Sequence, residues 1–190
     1  MPREENEQSA RRLLTAIAGG DESAMEQFYR SYEKDVYAFV QFRLDDPHAA
    51  AEIVNEAMLV VWRTAGRFKG GSKVRTWLLG IANNKVLDVL RRRGKRSHEE
   101  LDEGLPDASP VSGERVVAAA QHRRSLRTCL KGLTDQHRQV VHLAFFEELS
   151  YGEIAEIVDC PAGTVKTRMY HARISLKRCL ERMGMTGERI

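Results

Sequence analysis

Cysteine is scarce in this chain of 190 residues: there are three, Cys129, Cys160 and Cys179, an odd and scattered set without a CxxC pair. That scarcity argues against a zinc module or a disulfide framework, so the thiols are expected to be reduced and packed in helices, as in a cytoplasmic protein. Aromatic residues make up only 7%. No apolar run approaches a bilayer-spanning length and the N-terminus MPREENEQSARR is charged, so neither membrane insertion nor a secretory signal is expected. Strand-like alternation is missing over any useful length, and no internal repeat occurs. The six histidines assemble no ligand set by spacing, so no metal, no cofactor and no catalytic group is expected. These absences leave a highly charged chain whose only regular signal is helical periodicity.

The net charge of +3 conceals strong segregation. Residues 1–62 carry 6 bases and 12 acids, residues 63–96 carry 11 bases and 1 acid, and residues 97–113 carry five acids and no base. The remainder, 114–190, is net +4. Separation of this kind implies at least two surfaces with different partners, one of them a polyanion. The chain is long enough for one large domain or two small ones.

The clearest local unit is SYGEIAEIVDCPAGTVKTRMYHARISLKRCLER, residues 150–182. Ser150 and Glu153 have capping-box spacing, and Tyr151, Ile154, Ala155 and Val158 share a helical face. Asp159, Cys160 and Pro161 interrupt the pattern. A second helix then places Val165, Met169, Ala172, Leu176 and Leu180 on its apolar stripe, with Lys166, Arg168, His171, Arg173, Lys177 and Arg178 elsewhere. Between Pro161 and Arg182 there are six Lys or Arg and one acid. A capped helix, a short turn and a cationic helix fit the module that lays its second helix in the DNA major groove. A solvated amphipathic pair in any bundle is the alternative.

Upstream, a helix over Ser9 to Ala18 is expected to stop at Gly19 and Gly20, and Asp21 to cap a longer helix whose Phe28, Tyr32, Val36, Phe39 and Phe42 form core. Asp45 or Asp46 with Pro47 starts the next helix, which is too apolar for one stripe: it is either central or carries a partner patch beside its polar edge of Glu52, Asn55 and Glu56. The basic loop GRFKGGSKVR leads into a helix over Thr76–Arg93, whose amides and bases suit phosphates and exposed bases, although its terminal bases by themselves could simply solubilise a helix end. Residues 94–113 read as an acidic linker that could lie in a basic channel. Beyond it, Val117, Leu126 and Leu130 are expected in one helix core, and Val140, Val141, Leu143, Ala144 and Phe145 in the next, capped by Thr134. TGERI reads as a frayed end. The expected architecture is all-α, with two small helical domains at 9–93 and 114–183 joined by the linker.

Taken together, AEIVNEAMLVVW, FKGGSKVRTWLLGIANNKVLDVLRR, the acidic linker and LTDQHRQVVHLAFFEELSYGEIAEIVDCPAGTVKTRMYHAR resemble a sigma-70-family RNA polymerase sigma factor of the compact extracytoplasmic-function (ECF) group, which keeps only regions 2 and 4 and serves stress responses. The resemblance spans roughly residues 10–182. It implies core RNA polymerase and promoter DNA as partners, a restraining anti-sigma factor, and no small-molecule substrate. It also implies residue roles: Glu52, Asn55, Glu56 and Leu59 on the polymerase clamp; Phe68, Lys69 and Lys73 around a flipped base of the minus-ten element; and Asn84, Lys85, Asp88, Arg91 and Arg92 along the adjoining DNA. Thr164, Lys166, Thr167, Arg168, His171 and Arg173 would face the minus-thirty-five element. Asn55 stands where many members have Gln, and His171 where Arg is frequent. The loop is poor in aromatics, as in the rest of the ECF group, which implies strict promoter choice. Two readings outside this resemblance are a one-component helix-turn-helix regulator and, from the enzyme class, a DNA recombinase or nuclease, for which Glu52 and Glu56 are the nearest carboxylate pair.

Overall fold

A computed structural model describes residues 3–96 and 114–185. The described residues form eight α-helices. Four make the N-terminal half: α1 (Arg3–Ala18), α2 (Glu22–Leu44), α3 (Pro47–Thr64) and α4 (Val74–Arg96), with a 3₁₀ turn at Ala65–Arg67 after α3. Four make the C-terminal half: α5 (Glu114–Lys131), α6 (Asp135–Phe145), α7 (Tyr151–Val158) and α8 (Ala162–Arg182).

Caps set most of the boundaries. Asp21, Asp46 and Thr134 each accept a hydrogen bond from a first-turn amide of the helix they precede, and Pro47 occupies the first turn of α3 where no amide is needed. Ser150 and Glu153 form the full capping box at the start of α7. Helix α1 begins six residues earlier than its apolar pattern suggests, at Arg3 rather than Ser9. It ends at Gly19 and Gly20, the latter with φ +87°, a conformation that suits glycine.

The N-terminal core lies between α1, α2, α3 and α4. Phe28, Val36, Phe39 and Val40 of α2 are fully buried, together with Val61, Val74, Leu79 and Val86. Helix α3 is central: Ile53, Val54, Ala57, Met58 and Val61 are inside, and Leu59 is its exposed large apolar side chain. The C-terminal core gathers Val140, Leu143, Ile154, Ile157, Val165, Met169 and Ala172 around the α7–α8 turn. Helix α4 packs on α7 and α2 packs on α6, so the halves are in contact.

Several expectations are corrected. Cys129 and Cys179 form a disulfide, leaving Cys160 free; packing of α5 on α8 brings Cα atoms 50 positions apart in sequence to within 5.7 Å, which linear spacing could not show. Phe145, Leu126 and Tyr151 are exposed, although Val141, Leu130 and Ile154, three or four positions away on the same helices, are buried: the covered part of each face stops short of them, and Phe145 and Tyr151 are helix-end residues. The side chain of Val117, the linker from residue 97 to 113 and the segment after Met185 lie outside the described residues.

Candidate nucleic-acid and polymerase interfaces

In the C-terminal half the helix-turn-helix is anchored from below and open above. Val165, Met169 and Ala172 are buried at spacings of four and three, which fixes the rotation of α8. Lys166, Thr167, His171 and Arg173 are consequently exposed, while Thr164 and Arg168 are half-buried at the edge of the turn. Asp159 closes α7 in the left-handed region at φ 49°. The Arg168 guanidinium lies 3.7 Å from the Cys160 sulfur, and the Thr167 hydroxyl donates to the Gly163 carbonyl at 3.1 Å. His171 stacks on His137 of α6, centroids 6.3 Å apart; burial, together with nearby His171 and Arg168, holds the His137 pKa below its usual value. Among the described residues, Lys166 and Arg173 have no ion-pair partner, so both charges face solvent and can meet phosphate.

The basic loop of the N-terminal half is held by helix α1. The Glu7 carboxylate accepts from the Val74 amide at 3.1 and 3.3 Å and pairs with Arg11 at 2.6 Å. Arg11 in turn donates to the carbonyls of Gly70 and Ser72 and sits over the Phe68 ring. Helix α4 thus receives its N-terminal carboxylate from another helix. Gly70 suits this turn because its φ is +73°, a conformation that side-chain-bearing residues rarely adopt. Phe68 is half-buried, its ring 5.2 Å from that of Trp77, whereas Lys69 is exposed.

Along α4, Asn84, Asp88, Arg91 and Arg92 are exposed. Asp88 pairs with Arg91 at 3.0 Å. Lys85 is half-buried and pairs at 3.0 Å with Glu56 of α3, so residues expected on two different surfaces are neighbours. Glu52, Asn55, Glu56 and Leu59 are all exposed on α3. The Asn55 side-chain oxygen accepts from the Tyr29 hydroxyl at 3.1 Å, beside a groove of about 280 Å³ between α2 and α3.

Some polar residues have a different place. Asn83, one of the interleaved amides of α4, is 1% exposed; its oxygen accepts from Arg43 and Gln139, and its nitrogen donates to the Ile157 carbonyl at 3.0 Å. Arg75 joins Asp35 of α2 at 2.8 Å to the Glu147 carboxylate and carbonyl. Glu147 also meets His142 at 3.0 Å. Although burial opposes its charge, contacts from His142 and Arg75 hold the Glu147 pKa below the usual carboxylate value. Lys73, expected beside a flipped base, pairs with Glu153 of α7 at 2.6 Å. Asn83, expected off the core among the amides and bases that could meet nucleic acid, is instead buried; Glu7, Arg11 and Arg75 were not singled out by sequence reasoning, because every partner except the Glu7–Arg11 pair is non-local.

Comparison with known proteins covers both halves of the chain. The family description "Sigma-70 region 2" matches residues 28–96, and "Sigma-70, region 4" matches residues 123–176. The "ECF RNA polymerase sigma factor SigK" of Mycobacterium tuberculosis (strain ATCC 25618 / H37Rv) is 34% identical over 174 residues, covering 89% of this chain and 92% of that protein. The "Probable RNA polymerase sigma-C factor" of Mycobacterium bovis is 30% identical over 92% of this chain and 93% of its own length. The fold matches that of the sigma factor RpoE solved with the anti-sigma factor NepR from Bartonella quintana, with a TM-score of 0.67, 22% identity, and coverage of 86% of this chain and 98% of that one. It also matches CnrH solved with the cytosolic domain of CnrY, with a TM-score of 0.66, 20% identity, and coverage of 92% and 98%. The chain belongs to the sigma-70 family of RNA polymerase sigma factors, in its ECF group. Members of this family are transcription initiation factors, not themselves catalysts. Among the described residues no helix is long and apolar enough to cross a membrane.

Proposed function

We propose a division of labour in which residues 9–93 form the region-2 domain, 94–113 the linker and 114–183 the region-4 domain of an ECF sigma factor. The chain binds core RNA polymerase, directs it to specific promoters and helps open the minus-ten DNA. The observation that carries this most directly is α8, whose apolar side is locked against α6 and α7 while Lys166, Thr167, His171 and Arg173 are left outward. Thr164 and Arg168 complete the face that we assign to the minus-thirty-five element.

The exposed edge of α3, Glu52, Asn55, Glu56 and Leu59, is assigned to the polymerase clamp. Lys69, Lys73, Asn84, Lys85, Asp88, Arg91 and Arg92 are assigned to the minus-ten DNA, with Phe68 as the aromatic of that loop. Opening a base-pair step costs on the order of 1.4 kcal/mol of stacking. A base flipped from the helix adds a few kcal/mol. Phosphate contacts held in place by the polymerase, plus a site for one unstacked base, offset that cost over a short stretch.

A cytoplasmic location and restraint by an anti-sigma factor belong to the same reading; the solved neighbour RpoE was captured with the anti-sigma factor NepR, and CnrH with the cytosolic domain of CnrY. The test is run-off transcription with bacterial core polymerase, followed by sequencing of the bound promoters. Promoter-specific transcripts that depend on this protein are expected. Failure to co-elute with core polymerase, or equal binding to long DNA without it, would refute the assignment.

A further inference from the structure

Helix α1 lies ahead of the region-2 match, which begins at residue 28, yet it braces the basic loop from end to end. Ala10, Leu14 and Ile17 are buried and anchor α1 on the N-terminal core. Glu7, Arg11, Leu14 and Ala18, at spacings of four, three and four, form one line of that helix. The loop runs antiparallel to this line. Ala18 stands beside Gly66 of the 3₁₀ turn, where a Cβ on the glycine would meet its own at 3.6 Å. Arg11 lies over the Phe68 ring and donates through Nη2 to the Gly70 and Ser72 carbonyls at 3.4 and 3.1 Å. Glu7 completes the run by accepting from the Val74 amide at 3.1 Å, and its carboxylate meets Arg11 Nε at 2.6 Å. Among the described residues, positions 69–72 make no backbone-to-backbone hydrogen bond. Gly70 and Gly71 give that stretch wide conformational freedom, so its shape comes from Arg11 and Glu7.

We infer that Glu7 and Arg11 are positioning residues for promoter opening: they hold the loop from Phe68 to Lys73 in the shape that takes an unstacked minus-ten base, an inference that rests on the minus-ten assignment of that loop. The same brace keeps Phe68 under Arg11 and beside Trp77 while leaving Lys69 outward. Without it the glycine-containing stretch is ordered only when DNA arrives, and the entropy lost then is subtracted from the binding that opens the duplex. Neither residue needs to touch DNA for this. Both act through the loop, as one unit, because each holds the other as well as the backbone.

The test uses the full chain with bacterial core polymerase and permanganate footprints of open complexes on a promoter recovered by sequencing. Arg11→Ala should leave core binding unchanged and lower open complexes about tenfold, since apparent affinity scales with the fraction of loop in the competent shape. Glu7→Ala should do the same, although it removes a negative charge from beside a DNA-binding loop. Charge alone predicts better opening for Glu7→Ala and worse for Arg11→Ala, so effects of opposite sign would overturn the inference. The double variant should be no worse than either single one. Arg11→Lys keeps the charge but cannot span Glu7 and both carbonyls, and full recovery in that variant would also count against positioning. With abasic nucleotides placed one at a time along the minus-ten strand, the defect should vanish at the position whose base the loop takes; a defect that persists at every position would mean a general loss of fold and refute base capture. Phe68→Ala and Lys69→Ala separate the two readings. Normal opening in both would refute the minus-ten assignment and the positioning with it. Reduced opening in these two, with normal opening in Glu7→Ala and Arg11→Ala, would refute the positioning alone.

Discussion

The two surfaces proposed to meet DNA in this sigma factor are built in opposite ways. The face of α8 is set by one apolar stripe and a turn of three residues, and its exposed cations Lys166 and Arg173 stand free of carboxylates among the described residues. The basic loop and α4 are assembled from afar: Glu7 and Arg11 of α1 fasten the loop, Glu56 of α3 holds Lys85, and Glu153 of α7 holds Lys73. A surface that rests on local packing can present its charges at once. One that depends on distant partners can be rearranged, and its charges are spoken for until it is.

The largest expected effect tests whether the halves fold separately. Phe28 is fully buried in the N-terminal core, and Phe28→Ala should cost about 3–5 kcal/mol. Thermal unfolding should show that loss in the transition of the N-terminal half; a loss shared equally by the C-terminal half would mean that the two are one cooperative unit. Next comes the disulfide, which staples α5 to α8 in the C-terminal half alone. Reduction should lower that half's stability by about 2–4 kcal/mol, read by denaturant titration with and without reductant, and leave the N-terminal half unchanged.

Arg168→Ala should weaken minus-thirty-five binding by about 1–3 kcal/mol. An electrophoretic shift with promoter duplex measures this, and an unchanged promoter preference would count against the placement of α8. Glu7→Ala removes the borrowed cap of α4 and should cost about 1 kcal/mol, with faster amide exchange at Val74. Slow exchange in that variant would show that the loop holds itself.

The smallest effect belongs to Glu153. Its pair with Lys73 is partly exposed, so Glu153→Gln should change stability by about 0–1 kcal/mol. Burial opposes ionisation there, but Lys73 and Ser150 hold the Glu153 pKa below its usual 4.5. A depressed carboxylate stabilises the fold above its usual value and stops doing so as pH falls through the folded one. Wild type should therefore lose this link below about pH 4.5, and a titration of stability for the Gln variant should lack that component.

How much was legible in advance differs between the same two regions. Ser150, Glu153 and the i, i+4 stripe of α8 declare a helix-turn-helix because each signal is complete within one turn or two. Asn83 could not be placed that way: in the sequence it is one of two adjacent amides followed by Lys85, and only the packing of α2, α6 and α7 turns it into a buried junction. Phe145 misled in the reverse sense: it continues a run of apolar residues, yet at the last position of α6 it is exposed.

Taken alone, the amino-acid order determined that the chain is helical, where most helices start, which half carries the helix-turn-helix, and to which family the pattern conforms. These follow from caps, breakers and periodicity, whose energetics are settled between residues a few positions apart. The disulfide, the borrowed cap from Glu7, the Lys85–Glu56 pair and the contact of α7 with α4 were decided only when the helices packed. Each joins residues far apart in the chain, and the free energy that selects one such pairing over others comes from burying the whole set of surfaces together.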